Sequence, residues 1–181
     1  MAGSTRAGWV GSISGEGGTC VRIPDVRIEV RTYDHPDAVA LIADVQQEYV
    51  VRYGEVDQTP VDQAEFSPPL GLFLVAYVDD EPAACGGWRA HDTDVELKRM
   101  YVRPAFRGRG LARAVLAELE RTAAAAGYAR LILETGMRQP EAIALYKSAG
   151  YTPVARFGYY AESPEAVHLG KSLEVACPSS P

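Results

Sequence analysis

Asparagine is absent from the 181 residues, and lysine is far rarer than arginine. We interpret both biases as the codon usage of a GC-rich genome and draw no function from them. Cysteine is also scarce: Cys20, Cys85 and Cys177 show no C-x-x-C spacing. An odd number without that spacing argues against a disulfide framework or a zinc site and indicates thiols in a reducing compartment. We therefore expect a cytoplasmic protein without a bound metal.

Long apolar runs and basic runs are absent as well. No stretch approaches the roughly 20 apolar residues needed to cross a bilayer. The first residues, MAGSTRAGWVGSISGEGG, lack the charged-then-apolar pattern of a signal peptide. The formal net charge is −6 and the sequence pI is about 5.1, which argues against general binding of nucleic acid. We expect neither a membrane nor a nucleic acid as partner.

Two familiar nucleotide-binding motifs are incomplete. The dinucleotide fingerprint needs a glycine three residues after Gly110, where the chain has Arg113. The triplet Gly170-Lys171-Ser172 is like the end of a P-loop, but the first glycine of that motif would stand at Glu165. These absences argue against a nucleotide-dependent enzyme.

The stretch from Val95 to Leu116 is the most informative part of the chain. Its start alternates like a strand, with Val95, Leu97 and Tyr101 expected on one face and Glu96, Met100 and Val102 on the other. The basic turn Arg107-Gly108-Arg109-Gly110 follows, and a helix begins at Leu111. A strand, a glycine turn and a helix start suit an anion site, because the free N–H groups of the first helical turn point at the ligand; the alternative is an ordinary connection with a solvated basic loop. Arginine adds positive charge suited to phosphate oxygens.

The order of elements predicts one α/β domain. A leader is expected over 1–24, the domain over 25–174 and a tail over 175–181. Acidic, proline-bearing residues 54–69 form a long loop, which is either functional or merely a variable connection. The predicted strands are 26–33, 71–78, 83–90, 95–102, 130–135, 151–156 and 166–173, and the predicted helices are 36–53, 111–126 and 139–149.

Three blocks resemble the GNAT family of N-acetyltransferases. Arg107, Gly110 and Ala112, preceded by MYVRP, fill the R-x-x-G-x-A pattern of its acetyl-CoA motif. LETGMRQPEAIALYKSAGY is similar to the family's second motif, and ELKRMYV and FGYYAESPEAVHLGKSL resemble one bacterial branch. The resemblance implies the acyl-CoA N-acyltransferase fold, a mixed, largely antiparallel sheet with helices on both faces.

The implied activity is transfer of an acetyl group from acetyl-CoA to a primary amine of a small molecule or peptide, by direct attack in a ternary complex. The protein would be a monomer or homodimer. A non-catalytic acyl-CoA-binding or regulatory module on the same fold is the alternative, since fold does not fix function.

The resemblance also implies a cofactor site. The strand carrying Met100 would splay from its neighbour, its backbone would pair with pantetheine amides, and an N–H near Met100 would face the thioester oxygen. Gln139 stands where the family usually has asparagine. The full predicted set is Met100, Tyr101, Val102, Arg107, Gly108, Arg109, Gly110, Leu111, Ala112 and Gln139.

Two catalytic residues are predicted. Tyr146 matches the tyrosine that protonates the coenzyme A sulfur in many family members, although its spacing also fits a core position. Glu96 precedes Arg107 by the spacing at which the histone-modifying branch of the family carries its catalytic glutamate, so the resemblance implies a candidate base; ion pairing to Lys98 or Arg99 is the other interpretation. A water chain or a histidine, His91 or His168, remains an alternative base.

By family analogy the acceptor cleft would be built from the end of the first helix and from two loops, 54–69 and 157–165. Aromatic and acidic groups there suit a cationic amine. The candidate acceptor residues are Glu48, Tyr49, Arg52, Tyr159 and Tyr160.

Overall fold

The computed structural model describes residues 25–174, so the predicted leader and tail lie outside the described residues. Ten main elements follow one another: β1 (Val26–Val30), α1 (Pro36–Tyr53), β2 (Gly71–Val78), β3 (Glu81–His91), β4 (Asp94–Val102), α2 (Leu111–Ala125), β5 (Arg130–Gly136), α3 (Pro140–Ser148), β6 (Thr152–Pro153) and β7 (Ala166–Ser172). The predicted order of elements is confirmed.

The strands form one seven-stranded sheet in the order β1-β2-β3-β4-β5-β7-β6. Within the described residues β4 and β5 are the one parallel pair, and every other neighbouring pair is antiparallel. Helices α2 and α3 cover one face, where Leu111, Val115 and Leu119 are buried as their spacing predicts. Helix α1 covers the other face through Ala38 and Leu41. The predicted fold class, a mixed sheet between helices, is confirmed.

Two predicted strands are shorter than expected by three residues or more. The first ends at Val30 rather than at residue 33. The strand predicted over 151–156 is reduced to Thr152–Pro153, because proline has no N–H to continue a ladder. Loop 54–69 also contains a short 3-10 helix, Gln63–Phe66, whose Phe66 is 2% exposed and anchors the loop in the core beneath α1.

A β-bulge in β4 makes the predicted faces of this strand wrong: Tyr101 was expected on the face of Leu97, and Met100 on the opposite face. Tyr101 pairs with Cys85 and Lys98 with Gly87, so two residues of β4, Arg99 and Met100, stand opposite Gly86. Arg99 has the positive φ of 58° that such a bulge uses. The extra residue reverses the alternation, so Met100 packs in the same core as Leu97 and Tyr101 packs with the α1 face.

Within residues 25–174, no helix combines the length and the apolar character that crossing a membrane requires.

Candidate active site

The sheet opens between its two parallel strands. Pairing of β4 with β5 extends from Val95↔Leu131 to Leu97↔Leu133 and stops there. The bulge at Arg99 follows immediately and turns the rest of β4 away from β5. Backbone groups beyond Leu97 therefore face a gap instead of a neighbouring strand, and two cavities meet in that gap.

The first cavity, here called the helix-side cavity, has a volume of about 350 Å³ and lies between the end of β4, the start of α2 and α3. Nine of the ten predicted cofactor residues line it; the exception is Arg109, whose Nη2 donates to the Ala105 carbonyl at 3.1 Å. The nine are Met100, Tyr101, Val102, Arg107, Gly108, Gly110, Leu111, Ala112 and Gln139.

The N-terminus of α2 faces this cavity without a side-chain cap. Gly110 is its N-cap, at φ +81°, a conformation that glycine adopts without a Cβ penalty. Because glycine has no side-chain acceptor, the first-turn N–H groups stay available to an anion. Arg107 stands beside them: its Nε donates to the Val102 carbonyl at 3.0 Å, and its Nη2 forms an ion pair with Glu48. These donors fit a phosphate-bearing ligand.

The second cavity, the loop-side cavity, has a volume of about 260 Å³ and lies beneath the segment 55–57 and the loop 157–165. It shares four lining residues with the helix-side cavity: Met100, Gln139, Ala142 and Tyr146. The cavities therefore adjoin at the split in the sheet, and ligands entering from opposite sides would meet beside these residues.

Tyr146 lies at this junction, on the inner face of α3. It is 4% exposed, and its ring packs on Tyr151 with centroids 5.6 Å apart. Burial raises the pKa of Tyr146 well above the ordinary tyrosine value. The hydroxyl is therefore protonated at any physiological pH and carries a hydrogen that it can offer to an acceptor in the cleft.

Glu134 is a cleft residue that the sequence reasoning missed. Its side chain is 8% exposed and lines the loop-side cavity at the end of β5. Burial raises the pKa of Glu134 to about 7, against an opposing attraction from Lys98. A carboxyl that titrates near neutrality in a cleft suits a general base. The available signal was the single carboxylate of the strand RLILET, which directly follows three apolar residues.

Glu96, the predicted base, lines neither cavity. It is 2% exposed and lies between two cations: Oε2 accepts from Arg89 Nε at 2.9 Å, and Oε1 lies 2.7 Å from Lys98 Nζ. Arg89 also bonds Glu65 and the Pro60 carbonyl. The carboxylate thus ties β3, β4 and the loop 54–69 together, the strand-holding arrangement that was the other interpretation of this residue.

The five predicted acceptor residues separate. Tyr49 and Tyr160 line the loop-side cavity, whereas Glu48 lines the helix-side cavity. Arg52 and Tyr159 line neither: Arg52 pairs with Glu48 and Glu141, and Tyr159 is 58% exposed.

Tyr160 also ties the two loops together across the loop-side cavity. Its hydroxyl donates to Asp57 Oδ1 at 3.2 Å and accepts from the Gln58 N–H at 2.9 Å. Asp57 Oδ2 pairs with Arg99. Neither His91 nor His168 lines either cavity, although His168 lies directly behind Glu134.

Comparison with known proteins agrees with this geometry. Residues 39–151 match the model of the acetyltransferase (GNAT) family. An IAA acetyltransferase of Azospirillum brasilense is 32% identical over 154 residues, which cover 83% of this chain and 100% of the relative. A Klebsiella pneumoniae protein assigned as an acyl-CoA N-acyltransferase superposes with a TM-score of 0.69 at 30% identity, covering 82% of this chain and 97% of that structure.

A more distant structure shares the fold alone. The PaiA N-acetyltransferase of Thermoplasma acidophilum, solved with coenzyme A, has a TM-score of 0.61 at 16% identity over 80% of this chain and 98% of that one.

The mixed sheet, its opening between β4 and β5 and the uncapped N-terminus of α2 define an acyl-CoA N-acyltransferase. The chain belongs to the GNAT family and is an acetyl-CoA-dependent N-acetyltransferase.

Proposed function

We propose that the protein transfers the acetyl group of acetyl-CoA to a primary amine of a small molecule or peptide by direct attack in a ternary complex. The observation that carries this proposal is the junction of the two cavities at Met100, Gln139, Ala142 and Tyr146. A thioester held from the helix side and an amine held from the loop side would react there without any covalent enzyme intermediate. Cys85, the one cysteine among residues 25–174, is buried in the core and lines neither cavity.

Cofactor binding rests on backbone donors. The diphosphate would lie on the first turn of α2, near Arg107 and Gly108, with Leu111 and Ala112 forming the wall. The pantetheine would follow the unpaired edge of β4, where Met100 and Val102 offer peptide groups that β5 does not use. An N–H near Met100 would then face the thioester oxygen and stabilise the charge that develops on it.

Two proton transfers accompany the reaction. The amine nitrogen attacks the thioester carbon, and its proton passes to Glu134, directly or through one water. As the carbon–sulfur bond breaks, Tyr146 gives its proton to the thiolate. We propose Glu134 in place of Glu96 because Glu134 lines the loop-side cavity, whereas both oxygens of Glu96 already contact cations.

The acceptor itself would lie in the loop-side cavity. Tyr49 and Tyr160 supply aromatic faces, and Glu134 supplies the carboxylate that an incoming ammonium group meets. Arg99, another lining residue, is balanced by Asp57. These groups support an amine-bearing substrate.

The proposal is tested by mixing the protein with acetyl-CoA and a panel of primary amines while thiol release is followed. We expect release that depends on the amine and matches the acetylated product mole for mole. Binding of acetyl-CoA with no acetylated amine across the panel would instead support the non-catalytic module.

Gly110→Glu is expected to weaken acetyl-CoA binding by about tenfold or more, because its carboxylate would compete with phosphate for the α2 N-terminus. Gly127→Glu, at the other end of α2, is a matched control. Both glycines have positive φ, +81° and +93°, and an added Cβ meets nothing within 4 Å at either. Calorimetric titration with acetyl-CoA should show the loss for Gly110→Glu alone. Equal affinities for the two variants would contradict the phosphate site.

Glu96→Gln is expected to lower stability more than chemistry. The amide leaves the buried Lys98 ammonium without its counter-charge, a loss of about 3 kcal/mol in the free energy of unfolding. The folded variant should retain most of its turnover. Thermal melts and kcat on the same preparation check this, and a stable but inactive Glu96→Gln protein would restore Glu96 as the base.

A further inference from the structure

His168 lies directly opposite Glu134, on the neighbouring antiparallel strand β7. Both side chains are buried, at 3% and 8% exposure, and His168 Nε2 lies 3.4 Å from Glu134 Oε2. The same Nε2 lies 3.1 Å from the Phe157 carbonyl oxygen. One imidazole nitrogen therefore faces both the proposed base and the first residue of the loop 157–165.

The tautomer of His168 follows from these acceptors. A carbonyl oxygen only accepts, so the nitrogen that faces Phe157 must carry the proton. Burial lowers the pKa of His168, which keeps the ring neutral near pH 7. The Nε2–H thus donates to the Phe157 carbonyl oxygen, and Glu134 Oε2 lies beside the same nitrogen at 3.4 Å. Glu134 Oε2 has no hydrogen-bond partner among residues 25–174, and a small movement of the carboxyl would let it accept from this N–H.

The imidazole is held in this orientation by its neighbours. The Phe157 ring meets it edge to face, with centroids 5.1 Å apart, and packs against His91 at 5.4 Å. The next residue, Gly158, adjoins the carboxyl, since an added Cβ would lie 3.4 Å from Glu134 Oε2, in van der Waals contact. The start of the loop, the imidazole and the carboxyl therefore form one packed unit behind the cleft.

We propose that His168 is a positioning residue for acetyl transfer, whose Nε2–H fixes the Glu134 carboxylate and the start of the loop 157–165 in one arrangement. This inference rests on the proposed role of Glu134. Hydrogen bonds of catalytic groups are often long in the free enzyme and shorten in the reacting complex. The 3.4 Å distance between His168 Nε2 and Glu134 Oε2 is therefore expected to shorten when the Glu134 carboxyl is ionised.

The other charges near the pair set the direction of the effect. Lys98 and the Tyr160 backbone N–H favour the charged form of Glu134, whereas Glu96 and Asp57 oppose it. Arg156 and Lys98 disfavour a protonated His168, and Glu96 favours it. Removing the imidazole N–H takes away one group that favours the carboxylate. The pKa of Glu134 should therefore rise further.

The test compares His168→Phe, which has no donor, with His168→Gln, whose amide keeps an N–H. For His168→Phe we expect kcat to fall about tenfold and the acid limb of the kcat profile to move up by about 0.5 to 1 pH unit. His168→Gln should restore much of both. His91→Phe, which changes the far side of Phe157, should leave the midpoint of that limb unchanged. If His168→Phe does not fold, His168→Met serves as the variant without a donor.

Two results would overturn the inference, and reading them together shows which of the two proposals fails. A wild-type midpoint in the donorless variant, with either full or uniformly reduced turnover, would mean that His168 only packs. Full activity of Glu134→Gln would reject the base and, with it, the positioning role. A loss of activity in Glu134→Gln with a wild-type profile in His168→Phe would reject the positioning role alone.

Discussion

Tyr146→Phe is expected to lower turnover by about 100-fold or more while leaving the affinity for acetyl-CoA almost unchanged. The substitution removes one hydroxyl and little volume, and the proposed cofactor contacts lie mostly on β4 and α2. The thiolate would then leave without a proton donor. The deficit should shrink with an acyl donor whose thiol is more acidic, since such a leaving group needs less help.

Tyr151→Phe is the matched control for this variant. Tyr151 is 3% exposed, contacts the Tyr146 ring and lines neither cavity. Removal of the Tyr151 hydroxyl should therefore change kcat little. Steady-state rates, calorimetric binding and thermal melts on both variants separate the possibilities. If correctly folded Tyr146→Phe protein works as well as Tyr151→Phe, the acid role is rejected and the thiolate takes its proton from water.

Glu134→Gln is expected to lower kcat by about 10²- to 10³-fold, because an amide cannot accept the proton of the attacking amine. In the wild-type enzyme, activity should rise with pH around a midpoint near 7, where burial leaves the pKa of Glu134. The residual activity of Glu134→Gln should lack this limb, which separates the enzyme's group from ionisation of the amine substrate. An unchanged limb in Glu134→Gln would assign it to another group.

At alkaline pH, Glu134→Gln should also be more stable than the wild-type protein. The folded state holds a proton on Glu134 up to about pH 7, whereas the usual glutamate value is 4.5. The native state therefore binds more protons between these values, so the free energy of unfolding falls as pH rises through them. The amide introduced by Glu134→Gln resembles the protonated carboxyl. The variant should be more stable than wild type at pH 8, by roughly 1–3 kcal/mol, with little difference near pH 4.5.

Glu96→Gln provides the opposite sign at the same pH, since it removes a carboxylate that two cations stabilise. Thermal melts of both variants at pH 5 and pH 8 therefore distinguish a desolvated carboxyl, Glu134, from one that is paired with cations, Glu96. Destabilisation of Glu134→Gln at pH 8 would contradict the desolvated state of Glu134.

The cofactor side of the cleft could be predicted from the sequence because its parts are local. The strand end, the glycine turn and the start of α2 are consecutive, so Gly108, Gly110 and Ala112 needed no knowledge of distant contacts. The fold class followed for the same reason, from the order of helices and strands along the chain. Only Arg109 among the predicted cofactor residues lies outside the cavity lining.

The acceptor side depended on pairings that periodicity does not contain. The bulge at Arg99 reverses the faces of the last β4 residues, and a strict alternation of two cannot reveal it. Glu96 and Glu134 are both carboxylates on neighbouring strands. Their neighbours distinguish them. Glu96 forms ion pairs with Lys98 and Arg89, whereas Glu134 lines the loop-side cavity and lies beside the His168 imidazole.

The most direct test of the account is a single turnover followed by mass spectrometry. The protein is loaded with isotopically labelled acetyl-CoA, mixed with an accepted primary amine and quenched at successive times, with a parallel sample lacking the amine. Direct transfer predicts that the protein's mass never changes, that label appears only on the amine and that one thiol is released per labelled product. Label on the protein before the amine is added, or thiol release without acetylated amine, would contradict it.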